Sequence, residues 1–373
     1  MTRSDRIHGS LLGLAWGDVF GCPVESLRAA DIRSAFGHYD RLPDAYPLDR
    51  MTALGSKVIG RLRPLGLYSD DTQQALALLN VALATQWSPT TWAEWLTNGM
   101  QHNVWRGFGR NFVGSVSRLR KGTPPQRSGV TTPGIGAAMR TGPLGALFHD
   151  RPQQLVQVVM ESSCVTHGDI RAASFAYAIA AAVARLVQGQ LVEAVRAELP
   201  GDVAAVEKEW LTGHADWTID RSAGPLVSQV LAEFFATPTS SESLCQRICD
   251  LAGPHVPEAP EIHANAGFAL LGGLHALAVG LGPVDDPNAA LAAMIREGFD
   301  TDTVAAIAGS LFGARFGTAW IPRDRLLDLP RLETYAAAVA DRTGPPETLT
   351  EFLRREGDWT RREADFQRGL LKG

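Results

Sequence analysis

The sequence predicts an all-α fold, and three observations carry that prediction. Apolar residues recur at helical spacing, as in Ile7, Leu11, Leu14 and Ala15, and again in Ala75, Leu78, Leu79 and Ala82. Helix-start signals stand directly before such runs: Ser4, Ser69-Asp70-Asp71, Ser88-Pro89 and Asp169. No segment shows a sustained period of two, so no strand is expected.

Taken in order, Ser4 caps a first helix that ends at Gly17-Asp18, and Gly21-Cys22-Pro23-Val24-Glu25 turns the chain. Residues 31–66, with Pro43, Pro47 and Pro64 and little periodicity, read as a loop. A helix follows Asp71, whose acidic first turn suits the helix dipole, and another carries Trp92 and Trp95. Between Trp105 and Gly145 the composition shifts to Gly, Arg, Ser and Pro. Within this stretch Gly134-Ile135-Gly136 is a glycine turn able to offer backbone N–H groups to an anion. No strand precedes it, which excludes a dinucleotide-binding Rossmann turn. Helices are expected at 152–162, from 169 to about 187, at 263–280 and at 287–297. The stretch from about 191 to 249 is helical but interrupted at Pro200-Gly201, at 213–224 and at 237–241, and the wider region 191–260 reads as prone to insertion. After Thr303, Gly309, Gly313 and Gly317 form a stripe for close helix packing, and 331–373 reads as a charged, solvated helical extension of a main domain at 1–330.

The chain has 373 residues, long enough for a large core in one domain or two. It is 45% hydrophobic and 20% charged with a net charge of −5, which offers no basic footprint for nucleic acid. Its four cysteines lack CxxC spacing, and Cys245 and Cys249, one helical turn apart, read as small apolar packing groups. The charged N-terminus reads as the first helix rather than a signal peptide, and no uninterrupted run reaches the ~18 apolar residues of a membrane span. A cytoplasmic enzyme is expected.

Two helix entrances carry the chemistry, Ser69-Asp70-Asp71-Thr72 and Asp300-Thr301-Asp302-Thr303. Four carboxylates brought together without cations repel and take up protons, so their pairing points to divalent ions as a shared partner. Donors that are all hard oxygens suit Mg2+ or Mn2+ rather than tetrahedral zinc.

Four ordered motifs resemble the ADP-ribosylglycohydrolase family, the group of dinitrogenase reductase-activating glycohydrolases and ADP-ribosylarginine hydrolases. They are Gly13-Leu14-Ala15-Trp16-Gly17-Asp18-Val19-Phe20-Gly21 with Pro23 and Glu25, Tyr68-Ser69-Asp70-Asp71-Thr72, Thr166-His167-Gly168-Asp169, and Asp300-Thr301-Asp302-Thr303 with the glycine-striped helix. The resemblance spans roughly residues 6–322 and implies a compact orthogonal helical bundle with a cleft for two Mg2+ or Mn2+ ions. Carried over by position, Ser69, Asp70, Asp71, Asp300, Asp302 and Thr303 are the implied metal ligands. Gly134, Gly136, Ala137, Met139, Arg140, His167 and Phe299 are the implied ligand-binding residues, Arg140 either sitting against a diphosphate or bracing the loop.

The implied reaction is hydrolysis of the bond between ADP-ribose and a modified target, a protein side chain first among the options. It passes through an oxocarbenium-like state, with Glu25 or a metal-site aspartate, Asp71 or Asp302, moving the proton. Three departures bear on substrate identity: Ser69 for threonine, Ile135 for the loop's common asparagine, and Phe299 for a glycine, adding a ring that narrows the cleft or stacks on substrate. The competing reading is a protein that keeps fold and metals but acts as a binder, for instance neutralising an ADP-ribosyltransferase toxin.

Overall fold

The computed structural model describes residues 1–237, 240 and 243–370. Helices account for the architecture, and among the described residues pairing of strand type is confined to four isolated bridges: Arg28 with Gly298, Val130 with His167, Gly134 with Phe268, and Asp169 with Asp220. The bundle is all-α, as the periodicity predicts.

Its axis is an antiparallel pair, the helix Arg3–Gly21 against the helix Thr301–Phe316. Gly9, Gly13, Gly17 and Gly21 recur every four residues and face Gly313, Gly309, Ala305 and Thr301 in reverse order. A Cβ on Gly13 would lie 2.2 Å from the Gly309 carbonyl oxygen, and one on Gly313 1.8 Å from that of Gly9. Only glycine permits this approach. Gly313→Ala is therefore expected to destabilise the fold by about 1–3 kcal/mol, the usual cost of overpacking. An unchanged urea midpoint would show that the two helices separate freely.

The pairing places the C-terminal end of the first helix beside the start of Thr301–Phe316, where Thr301 Oγ1 donates to the Gly21 carbonyl at 2.9 Å. It thereby joins motifs about 280 residues apart in sequence. Details differ from expectation. Thr2, not Ser4, caps the first helix by accepting from the Asp5 N–H at 3.1 Å, and that helix runs through Asp18 to Gly21. Gly317 closes the stripe from outside the helix: it ends the helix at φ 70°, a conformation glycine adopts without strain, while a Cβ on Gly9 would lie 2.8 Å from its carbonyl carbon.

Ile170–Val187 crosses the middle of the core. It is long and apolar enough to span a bilayer, 18 residues with mean hydropathy 1.5, yet 94% of it is buried against other helices. Asp169 caps it as expected, accepting from the Arg171 N–H at 2.9 Å. Ser88 likewise caps Pro89–Gln101.

Three regions depart further from the sequence reading. Residues 31–66 are not a plain loop: they hold part of Ala29–Phe36 and all of the short helices Leu48–Thr52 and Ser56–Ile59. Val192–Thr212 runs straight through Pro200, because Val195, Leu199, Val203 and Val206 bury one continuous face that outweighs the lost hydrogen bond. The expected interruption at 237–241 lies partly outside the described residues. The helix expected over 263–280 starts only at Ala269, with a π turn Ala269–Gly273 leading into Leu274–Gly280. Ahead of it, Asn265 Nδ2 donates to the carbonyls of Met294 and Gly298, bonds that hold 263–268 as turns.

The C-terminal segment is helical, as expected, but it is not a solvated tail. Leu349–Leu370 buries Phe352, Glu356 and Glu363. Glu356 accepts from Arg106 at 2.8 Å, from Gln73 at 2.6 Å and from Tyr68 at 3.2 Å, and pairs with Arg331. Arg354, Asp358 and Arg361 form the solvated outer face of the same helix.

Candidate active site

Ser69 is the N-cap of Asp70–Ala82, its Oγ accepting from the Asp71 N–H at 3.2 Å and donating to Asp71 Oδ2 at 2.9 Å. Asp18 neither ends its helix nor pairs with a local cation. Buried, it caps the same entrance from outside, accepting from the N–H groups of Ser69 and Thr72 and from the Thr72 hydroxyl at 2.6 Å. Asp70 Oδ2 accepts from Gln74 Nε2 at 2.6 Å, one turn along. The second entrance is set by two successive left-handed residues, Gly298 at φ 80° and Phe299 at φ 67°. A glycine at 299 would adopt this conformation freely, whereas phenylalanine pays roughly 1–2 kcal/mol. The Glu25–Ser26 turn clamps it: Ser26 N–H donates to the Phe299 carbonyl at 2.7 Å, and Phe299 N–H to that of Leu27 at 2.8 Å.

The two entrances open into a cavity of about 1030 Å³, lined by Glu25, Asp70, Asp71, Asp300, Asp302 and Thr303 at one end and by Gly134, Ile135, Gly136, Met139 and His167 elsewhere. Five of the six implied metal ligands are thus brought together on the cavity wall. Ser69 is close behind them but fully buried. Ala137 and Arg140 do not reach the cavity.

Arg140 takes the bracing alternative. It donates to Gln74 Oε1 at 2.5 Å, to the Ser162 carbonyl at 3.1 Å and to Thr166 Oγ1 at 2.6 Å, so it supports Asp70 through Gln74. Burial pushes it down to about 9. The Thr166 hydroxyl also bonds His167 Nδ1 at 2.9 Å. Desolvation, with the nearby Arg140 charge, lowers His167 to about 3, so the ring facing the cavity is neutral. Gly134 and Gly136 pack tightly against the ring, since a Cβ there would meet it at 3.3 and 3.2 Å, and at Gly134 also Asn111 Nδ2 at 2.6 Å.

Phe299 does not offer a face to a ligand. His263 stacks on it at 3.9 Å between centroids and Arg28 lies 4.4 Å over it, which places the two on opposite faces. The ring narrows the cleft instead.

The electrostatics are those of buried carboxylates that outnumber the counter-charge beside them, the Arg63 guanidinium. Burial pushes Asp70 up to about 8 against the pull of the Arg63 guanidinium. Burial and the charges of neighbouring acids hold Asp71 and Asp302 well above the usual range. Asp300, half-buried, is raised to about 6 by desolvation and by Glu25. Asp71 Oδ1 is buried with no hydrogen-bond partner at all. An orphaned anionic acceptor among protonation-prone neighbours is what a cation would satisfy. The residues therefore fit hard divalent ions.

Ligand atoms of Asp18, Cys22 and Asp302 also lie within 4.8 Å of one another. That trio is the poorer cradle. Both Asp18 oxygens already accept bonds, and burial holds the Cys22 thiol protonated, its proton donated to Asp18 at 3.1 Å.

A carboxyl raised on folding binds its proton more tightly in the folded chain, so its stabilisation is complete below the unfolded value of 3.8 and is lost as pH rises through the folded one. With Asp70 about 8, the metal-free protein is expected to lose stability from about pH 6.5 to pH 8, above the range in which the lowered His167 and His275 gain stability as pH rises and offset Asp300, and divalent ions are expected to restore it. A metal-free melting temperature that stays flat from about pH 6.5 to 8 would contradict this.

Sequence reasoning missed Arg63, Arg28, Gln74 and the wall formed by Glu258, Pro260, Glu261 and Phe268. Gln74 was discoverable, four residues after Asp70 on one helix face. The others had no local signal.

Fold and site together define an all-helical protein built around an acidic cleft whose donors suit cations. The ADP-ribosylglycohydrolase family model matches residues 1–350, and the chain belongs to that family. The family is generally metal-dependent and acts on ADP-ribose-containing substrates. An uncharacterized protein of Archaeoglobus fulgidus is 32% identical over 182 residues, 48% of this chain, and the chain spans only 55% of that relative's length. The uncharacterized Escherichia coli K12 protein YegU is 25% identical over 331 residues, 84% of this chain and 89% of its own. The solved structure of an ADP-ribosylglycohydrolase-related protein complex superposes with a TM-score of 0.64 at 23% identity, over 91% of this chain and 99% of that one, a likeness of fold.

Proposed function

We propose that the protein is a divalent-metal-dependent hydrolase that releases ADP-ribose from a modified target, a protein side chain first among the candidates. The observation that carries this reading is the orphaned, buried Asp71 Oδ1 beside three further carboxylates on one cavity wall. Asp70, Asp71, Asp300, Asp302 and Thr303, with Ser69 behind them, would hold two Mg2+ or Mn2+ ions. When bound, such ions supply positive charge that orients the ribose and stabilises charge developing as the bond breaks.

The chain's own groups do the rest. Glu25, its side chain 22% exposed at the rim, moves the proton between water and leaving group. Gly134 and Gly136 let the neutral His167 ring pack close to the loop, and together they form a cavity wall that adds no charge. Arg140 and Gln74 keep Asp70 in place.

The test is incubation with a panel of ADP-ribosylated proteins and nucleic acids, with and without Mg2+, following free ADP-ribose. No release from any substrate, with ADP-ribose still bound, would favour the toxin-neutralising binder instead. Mg2+ or Mn2+ is expected to restore turnover to chelated protein better than Zn2+, because every donor is a hard oxygen. Higher turnover with zinc would count against that donor set.

A further inference from the structure

Arg63 is a buried cation at the edge of the acidic cleft, its side chain 5% exposed. Nη1 lies 3.8 Å from Glu25 Oε2 and donates to Cys22 Sγ at 3.0 Å, while Nε donates to Glu363 Oε1 at 3.0 Å. Glu363 is itself 11% exposed and sits on Leu349–Leu370. The same helix grips the chain around Arg63: Gln367 Nε2 donates to the Leu62 carbonyl at 3.2 Å, and Phe366 packs beside Tyr46, whose hydroxyl donates to the Arg63 carbonyl at 2.8 Å. Glu363 lies outside the residues 1–350 matched by the family model.

We infer that Glu363 is a positioning residue for the cleft: it fixes the Arg63 guanidinium, and Arg63 in turn fixes the carboxylate of Glu25. The inference rests on the proposed role of Glu25 in proton transfer. A long arginine faced by one carboxylate alone can swing, whereas one bonded at Nε by Glu363 and at Nη1 by Cys22 presents a single edge to Glu25. The C-terminal helix is thereby part of the machinery of the site.

Glu363→Gln keeps the shape and removes the charge. It is expected to lower kcat about 10- to 100-fold, the range for loss of a supporting outer contact, with KM unchanged, and to lower the melting temperature because a buried ion pair loses one partner. In a Glu25→Gln background the same substitution should have no further effect on kcat. A Glu363→Gln loss in kcat that persists undiminished in that background assigns Glu363 a purely structural role and overturns the inference.

A readout independent of turnover is solvent exchange of the Arg63 Nε–H in 15N-arginine-labelled protein, assigned with Arg63→Lys. Protection in the parent protein and its loss in Glu363→Leu, which leaves no acceptor, are expected, and identical exchange in both overturns the inference. If the parent protein releases no ADP-ribose from any substrate, the proposed function fails, while the exchange measurement still decides whether Glu363 fixes the Arg63 guanidinium.

Discussion

Asp302→Asn is expected to abolish divalent-ion binding and to lower hydrolysis by about 10³-fold, about 4 kcal/mol of transition-state stabilisation, while leaving the metal-free fold intact. Asp302 is 4% exposed, and burial together with Glu25, Asp71 and Asp300 holds its carboxyl well above the usual range. Its ionised form is therefore a cost to the metal-free protein. Asparagine keeps the volume and an oxygen able to accept from the Thr303 N–H, now at 3.0 Å, without the charge. The metal-free variant should melt no lower than its parent at pH 8, and the parent's gain on adding ion, about 2.7 kcal/mol at one hundred times Kd, should vanish. Calorimetry showing undiminished Mg2+ binding in Asp302→Asn would remove this residue from the ligand set.

For Glu25→Gln the expected loss is about 10²- to 10⁴-fold in turnover, the range for a general acid or base. ADP-ribose affinity should change by less than about tenfold, or 1.4 kcal/mol. Glu25 is clamped rather than free, because Pro23 stiffens its turn and Ser26, at φ 66°, is bonded to Phe299. Its side chain nonetheless stays open to the cavity, which holding a proton-transfer group at a rim requires. Near-normal turnover would make it a bystander and move proton transfer to the aspartates.

The two acidic entrances were legible because the reasons for them are local. An N-cap hydroxyl, acidic residues in the first turn and the apolar spacing behind them all fall within a few residues. Asp169 and Ser88 were readable for the same reason. Gly309 and Gly313 announced close packing, but their partners Gly9, Gly13 and Gly17 did not announce themselves as the other half. A glycine is informative only once its facing backbone is known.

Phe299 illustrates the boundary. Its departure from glycine was visible in the chain, but His263 and Arg28 taking both of its faces was not, since neither residue is near it in a pattern that the sequence repeats. Arg140 was noticed yet stood open between two roles, and only its bonds to Gln74 and Thr166 assign it to support.

By itself, then, the sequence determined the all-α class and the two oxygen-rich helix entrances, which follow from spacings shorter than one or two helical turns, and the family, which follows from the order of four such local motifs along the chain. The tertiary structure decided which carboxylates share a cavity, that residues 31–66 deliver Arg63 to it, and that a charged C-terminal helix buries Glu356 and Glu363 against Arg106 and Arg63. Those pairs join residues 250 and 300 positions apart. In the chain a charged residue bound for burial is indistinguishable from one bound for water, because what makes it affordable inside is a partner that only folding brings within reach.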